Sequence, residues 1–140
     1  MSEQKLNKIK EFFKNDTYAM NSGFEIVSAE NGESVCRCVT DKAKHMNAVG
    51  HVMGGVYFAL GDFAFAVAVN SEAALGTVDK VTVAVDNSIQ FFRGVSDGVL
   101  TARAVPLKRG RSMNFYRVDI TDSDGNLAAS MTCTGMVTQK

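Results

Sequence analysis

Proline occurs once in 140 residues, at Pro106, and no low-complexity, linker-like or repeated stretch interrupts the chain. Spacers and solenoid repeats are therefore excluded, and one domain over residues 1–140 is predicted. Cysteine is scarce as well. Cys36, Cys38 and Cys133 are odd in number and lack metal-ligand spacing, so no disulfide framework or cysteine metal site is expected. On a strand, Cys36-x-Cys38 sends both thiols to one face. Excess charge is missing too: fifteen Lys and Arg balance fifteen Asp and Glu. That argues against nucleic acid as the main partner and leaves room for a local anion site. The opening stretch, MSEQKLNKIKEFFKND, is charged throughout and has no apolar core of a signal peptide. With free thiols, this predicts a cytoplasmic chain in a reducing compartment. What is present, 46% hydrophobic and 21% charged residues, is the composition of a globular protein able to bury a core unaided.

Charge is scarcest from Val52 to Ser71, where Asp62 is the only acid and no base occurs. The apolar positions there follow neither alternation nor a single helical stripe, and a helix apolar on every side is a buried one. Gly54 and Gly55 mark its start and Gly76 its stop. The run has nearly membrane-spanning length, but its three glycines, its aspartate and the strands that follow argue against a membrane segment.

A carboxylate inside a buried helix must be paired, hydrogen-bonded or functional. Capping of a neighbouring backbone group is the structural alternative. The functional one comes from Gly54, whose amide at the helix start has no intrahelical acceptor and points outward with the positive end of the dipole. Such donors suit a developing oxyanion, and a carboxylate suits the role of general base or of nucleophile. Eight residues of helix separate Gly54 from Asp62, a rise of about 12 Å, too far for both to act on one carbonyl. Two copies paired with these helices antiparallel would bring Asp62 of one to Gly54 of the other, so a homodimer is predicted.

Along the chain, Leu6, Ile9, Phe12 and Phe13 predict an amphipathic helix over 3–14, ended by Asn15-Asp16 and followed by a connector to Gly23. Strand-like runs at 24–29 and 34–40 flank Asn31-Gly32, a strong hairpin signal. The loop 41–52 carries His45, Asn47 and His51 to the head of the central helix; for both histidines the plainer alternative is a solvated or hydrogen-bonded loop residue. Beyond Gly76, Val81, Val83, Val85, Ile89 and Phe91 alternate with polar or small residues, predicting a long half-buried strand. Runs at 99–107, 112–121 and 127–138 complete the strands, with turns at 94–98, 108–111 and 122–126. Pro106 falls near a strand end, where its missing N–H is tolerable.

The run His45-x-Asn47-x-x-Gly50-x-x-Met53-Gly54-Gly55, followed by Asp62, resembles the signature of hotdog-fold acyl-CoA thioesterases of the phenylacetate-degradation and 4-hydroxybenzoyl-CoA type. Patterning and resemblance agree on an α+β hotdog fold: a long central helix wrapped by a six-stranded antiparallel sheet, with a short N-terminal helix. The resemblance implies that Gly54 polarises the thioester carbonyl, Asn47 orients the site and Asp62 drives hydrolysis. Many similar chains carry His immediately before the first of these glycines, where this one has Met53. His51 lies two residues earlier and is counted, with Gly55, among the substrate-binding candidates. Some relatives place Ser or Thr on the following strand to hold water; alignment puts Ala84 there, with Thr82 and Ser88 on the same face by period two as weak replacements.

Arg93, Lys108, Arg109, Arg111 and Arg117 fall largely at strand ends and turns, where charges are usually just solvated. In similar thioesterases rim cations hold coenzyme A phosphates, and Arg93 and Arg109 are the candidates here. Phe58, Phe63 and Phe65 are available to an acyl group, although aromatics in such a run are more often plain core. The expectation is a cofactor-free acyl-CoA thioesterase, acting as a homodimer that can pair into a tetramer, with a coenzyme A thioester as substrate. The alternative, motivated by Met53 and Ala84, is a non-catalytic acyl-CoA-binding or regulatory protein of the same fold.

Overall fold

The computed structural model describes residues 1–139. Its elements are α1 (Glu3–Phe13), α2 (Thr17–Asn21), β1 (Phe24–Glu30), β2 (Glu33–Val39), α3 (Gly54–Ala74), β3 (Lys80–Phe91), β4 (Val99–Arg109), β5 (Met113–Thr121) and β6 (Leu127–Gln139). The six strands form one antiparallel sheet in the order β1-β2-β4-β5-β6-β3, and α3 touches every one of them. Length and apolarity alone would let α3 cross a membrane. It lies instead along the inner face of the sheet, burying Leu60, Ala64, Phe65 and Val67 almost completely, at about 1.5–3 kcal/mol for each large side chain. Gly61 permits the close approach: a Cβ there would stand 2.6 Å from Met131 Sδ.

Polar ties fix the helix to the sheet along its length. Ser34 Oγ donates to Ala64 O (2.6 Å), and Asn70 exchanges two bonds with the Thr82 backbone (2.7 and 2.9 Å). The chain then leaves α3 through Gly76 at φ +78°, the left-handed position expected of a helix stop. The amphipathic α1 lids the core through Ile9 and Phe13, the latter edge-on to Phe63 at 5.9 Å.

Three details differ from the sequence expectation. The connector before Gly23 contains α2, capped by Asp16, whose side chain accepts from Ala19 N–H at 3.0 Å; five residues are too few to show a period. Strand β4 continues through Pro106 to Arg109, because its pairing with β2 ends at Ala104 and the proline needs to satisfy only β5. In β3 the alternation breaks: a bulge between Ala84 and Asp86 inserts one residue and reverses the phase. Thr82 and Ala84 face inward before it and Asn87, Ile89 and Phe91 after it, so Val83 and Val85 are exposed (44% and 53%) rather than in the core.

Candidate active site

The chain enters α3 through Met53 in an extended conformation, and the Met53 side chain makes no capping bond. Val52 N–H is taken by Val95 O (2.8 Å), Met53 N–H by His45 O (2.9 Å) and Val56 N–H by Met53 O (2.9 Å). Among the described residues, nothing accepts from the amides of Gly54 and Gly55. These are the orphan donors of a helix start, left without a side-chain cap. Above Gly54 lies the Phe91 ring, close enough that an added Cβ would meet Cζ at 3.1 Å.

A cleft of about 360 Å³ opens here, lined by Asn47, His51, Gly54, Tyr57, Phe91, Arg93 and their neighbours. Four of the seven residues singled out from the sequence thus surround it. The Asn47 side chain shapes its own loop, with Oδ1 accepting from Val49 N–H and His51 N–H, each at 3.0 Å. Both are donors, so the Asn47 oxygen is committed and the NH2 group is the part left to a ligand. The imidazole of His51 lies against Gly94, an added Cβ on which would stand 3.0 Å from Nδ1. Tyr57 Oη is buried and has no hydrogen bond among the described residues; burial pushes its phenol upward, while the nearby Val95 backbone pulls the other way. Arg93 stands at the rim, 3.7 Å from Asp122.

His45 has a structural task. It is 4% exposed, accepts at Nδ1 from Asp41 N–H (2.9 Å) and donates from Nε2 to Ser22 O (2.9 Å), tying the loop to the end of α2.

Asp62 lies two turns along α3 and is not among the residues lining the cleft. It is half-buried, and desolvation holds its carboxyl above the ordinary range, opposed by a hydrogen bond from Asn87 and assisted by Asp16. Asn87 Nδ2 donates to Asp62 Oδ1 at 2.9 Å, while Oδ2 takes no hydrogen bond from the described residues. Neither Ala84 nor Ser88 meets this carboxylate: Ser88 pairs with Thr132 on the outer face, and Thr82 Oγ1 is occupied by Asn114 Nδ2 (3.0 Å). Asn87 is the residue that sequence reasoning missed. The adjacent polar pair Asp86-Asn87, which puts a polar residue on the apolar side of the alternation, was the available signal.

Arg109 does not join Arg93. It belongs to the row Arg109–Asn114–Gly135–Ala84, and a Cβ on Gly32 would stand 2.6 Å from its Nη1. Arg93 lies beyond Phe91, at the other end of the strands. The described residues contain no group of His, Cys, Asp and Glu side chains able to hold a metal ion.

Residues 49–129 match the thioesterase superfamily. The chain belongs to that family. It is similar to acyl-coenzyme A thioesterase PaaI of Escherichia coli, at 28% identity over 130 residues that cover 92% of this chain and 88% of that one. The solved structure of the E. coli PaaI protein, from the phenylacetic acid degradation operon, superposes with a TM-score of 0.84 at 25% identity, over 96% and 94% of the two chains. A hypothetical thioesterase of Streptococcus pneumoniae, solved with coenzyme A, gives 0.79 at 25% identity, over 94% and 98%. The helix wrapped by six antiparallel strands is therefore the hotdog fold, as the sequence led one to expect.

Proposed function

We propose that the chain is an acyl-CoA thioesterase whose two active sites form between the copies of a cytoplasmic homodimer. The observation that carries this reading is the division of labour along α3. Free amides and a cleft stand at Gly54, while the partly desolvated carboxylate with one free oxygen stands about 12 Å further on. Strand β3 supplies the means of joining them. It runs antiparallel to α3, with Gly54 level with Phe91, Asp62 with Asn87 and Asn70 with Thr82. Among the described residues its outer edge is unpaired, and Val85, Phe91 and Phe92 are more than half exposed along it. A long apolar edge of this kind calls for a partner strand.

A two-fold axis through Ile89 sets Asn87 of one protomer opposite Phe91 of the other. Asp62 then comes level with the Gly54 amide of the partner subunit. The Gly54 N–H receives the thioester carbonyl oxygen and stabilises the negative charge that develops there. Asp62 takes a proton from water as the water oxygen bonds to the carbonyl carbon, and collapse of the intermediate breaks the C–S bond and releases coenzyme A thiolate. In the nucleophilic variant the carboxylate itself attacks the carbonyl carbon, the C–S bond breaks to release coenzyme A thiolate, and water cleaves the resulting anhydride to the free acid and the Asp62 carboxylate. The Asn47 NH2 group orients substrate or water, and Gly55, His51 and Arg93 line the coenzyme A side. On the same axis the Arg109 row comes level with Gly94 of the partner subunit, so Arg109 would reach a phosphate only across the interface.

The test is thiol release from acetyl-, hexanoyl-, palmitoyl- and phenylacetyl-CoA by the wild type and by Asp62→Asn, with mass measured in solution. Hydrolysis by a dimer, lost in the variant, supports the proposal. Binding without turnover in either protein supports a regulatory acyl-CoA binder, the reading that the apolar Met53 at the helix cap favours. A monomer that hydrolyses thioesters at full rate removes the shared site.

A further inference from the structure

We propose that Asn87 is a positioning residue for this hydrolysis: its amide holds the Asp62 carboxylate by one oxygen, leaving the other free to act, and the bulge in β3 is the device that places an amide there. The inference rests on Asp62 being the reactive acid. Strict alternation from Thr82 and Ala84 would bring Asp86 and then Ser88 to the inner face. The inserted residue instead pairs Asn87, Ile89 and Phe91 with Cys133, Met131 and Ala129, the buried residues of β6, and turns Asp86 outward against Thr134. Without the bulge a second carboxylate would approach Asp62, and like charges in a partly desolvated site oppose ionisation. With it, the neighbour is a neutral donor, Nδ2 at 2.9 Å from Oδ1, and a hydrogen bond to a carboxylate favours the charged form.

The other end of the Asn87 amide argues against a packing role. Its Oδ1 is buried and receives no hydrogen bond from the described residues. An amide chosen to stabilise the fold would be satisfied at both ends or replaced by an apolar side chain. Here the single bond goes to Asp62. The other ionisable groups acting on that carboxylate are Asp16, between α1 and α2, and Cys133 on β6, whose thiol is pushed up to about 12 by burial and by the Asp62 charge. Asp16 disfavours a negative Asp62 and the Cys133 thiol, neutral where Asp62 titrates, adds no charge, so the Asn87 donor is the influence that favours ionisation.

The experiment follows the Asp62 side-chain carboxyl by 13C NMR in the full chain labelled on aspartate, with the signal assigned by its loss in Asp62→Asn. In Asn87→Ala the titration midpoint moves up, in Asn87→Ser it returns toward the wild-type value, and the acid limb of kcat/KM for the acyl-CoA panel moves with it. Turnover falls about tenfold to a hundredfold in Asn87→Ala with KM little changed, the size expected of a misplaced reacting group. An unchanged Asp62 midpoint in Asn87→Ala overturns the proposal even if turnover drops, because a packing defect slows turnover without moving a titration. Should that variant fail to fold, Asn87→Leu, an apolar side chain of similar size that cannot donate, carries the same comparison, and an Asp62 midpoint there identical to wild type overturns the proposal. A wild-type chain inert toward the whole panel is recognised before any substitution is made; it overturns the hydrolytic reading and this proposal with it.

Discussion

At its C-terminal end α3 is tied into the sheet. Asn70 Nδ2 donates to Thr82 O and Thr82 N–H donates to Asn70 Oδ1, and the exit through Gly76 closes the last turn, with the Gly76 amide on Ala73 O. At the N-terminal end the helix begins at Met53 with no side-chain cap, leaving two amides unanswered beside a cleft. A serine or aspartate at Met53 would have answered one of them at little structural cost. The contrast separates the two ends of one helix: the end that holds the fold is satisfied, and the end that opens on the cleft is not.

The contrast can be broken most severely at the carboxylate between the two ends. Asp62→Asn is expected to reduce thioester hydrolysis about 10²–10⁴-fold, the usual scale of an acid–base group, as measured by thiol release at saturating substrate. Capping the open end comes next. Met53→Asp caps the Gly55 amide and sets a negative charge beside that of Gly54, so thermal stability should rise by about 1 kcal/mol while hydrolysis falls by about 10²-fold, the scale of one oxyanion donor; a variant that gained stability and kept its rate would deny the amides a role. Loosening the closed end should do the reverse. Asn70→Ala leaves the Thr82 amide and carbonyl without their side-chain partners and should cost about 1–3 kcal/mol in denaturant unfolding, with the rate per folded molecule unchanged.

The smallest expected effect is in the pH dependence of stability. Asp62 is held above the ordinary carboxyl range by burial, so the native state keeps its proton more tightly than the unfolded chain. Stability contributed by that site therefore falls as pH rises from the unfolded carboxyl pKa through the folded one, and is level beyond it. Asp122 acts oppositely. The amides of Asn126 and Asp124 hold it low, so its contribution is present above the unfolded pKa and is lost as pH falls through the folded one. Subtracting the Asp62→Asn unfolding curve from the wild-type curve isolates the first slope, which should be negative in that window.

Most of the architecture was legible because it rests on local signals. The apolar run of α3, the Asn31-Gly32 turn with both residues at positive φ and the Gly76 stop all reappear where the sequence put them. The phase of β3 was not legible in its first half. Val81, Val83 and Val85 read as an inner face by period two, yet a bulge spends one residue without a partner, and no propensity marks where it falls. That one position turned over the first half of the strand and set Ser88 on the opposite face from Thr82, while Asn87 keeps the phase of Ile89 and Phe91 and meets Asp62. The head of α3 was legible as a group, since Asn47, His51, Gly54 and Arg93 share one cleft. Arg109 was not, because closeness in the chain says nothing about which end of a sheet a strand has reached. His45 and Asn47 look alike in a polar loop, and only the distant partner Ser22, with Asp41 at the loop's start, shows that the histidine is structural.

The three thiols on the inner face of the sheet give the molecule a means of reporting on its own opening. Cys36 and Cys38 on β2 and Cys133 on β6 are all but sealed off, and burial pushes their ionisation up to about 12, about 11 and about 12. A thiolate is what alkylating reagents attack, so the closed protein should be almost inert to them. Label that does appear then counts excursions in which strands separate, and peptide mapping assigns each excursion to one side of the sheet. Cys133, which pairs with Asn87 of the edge strand β3, should register first when that strand lifts from β6, making its alkylation a gauge of opening at that edge.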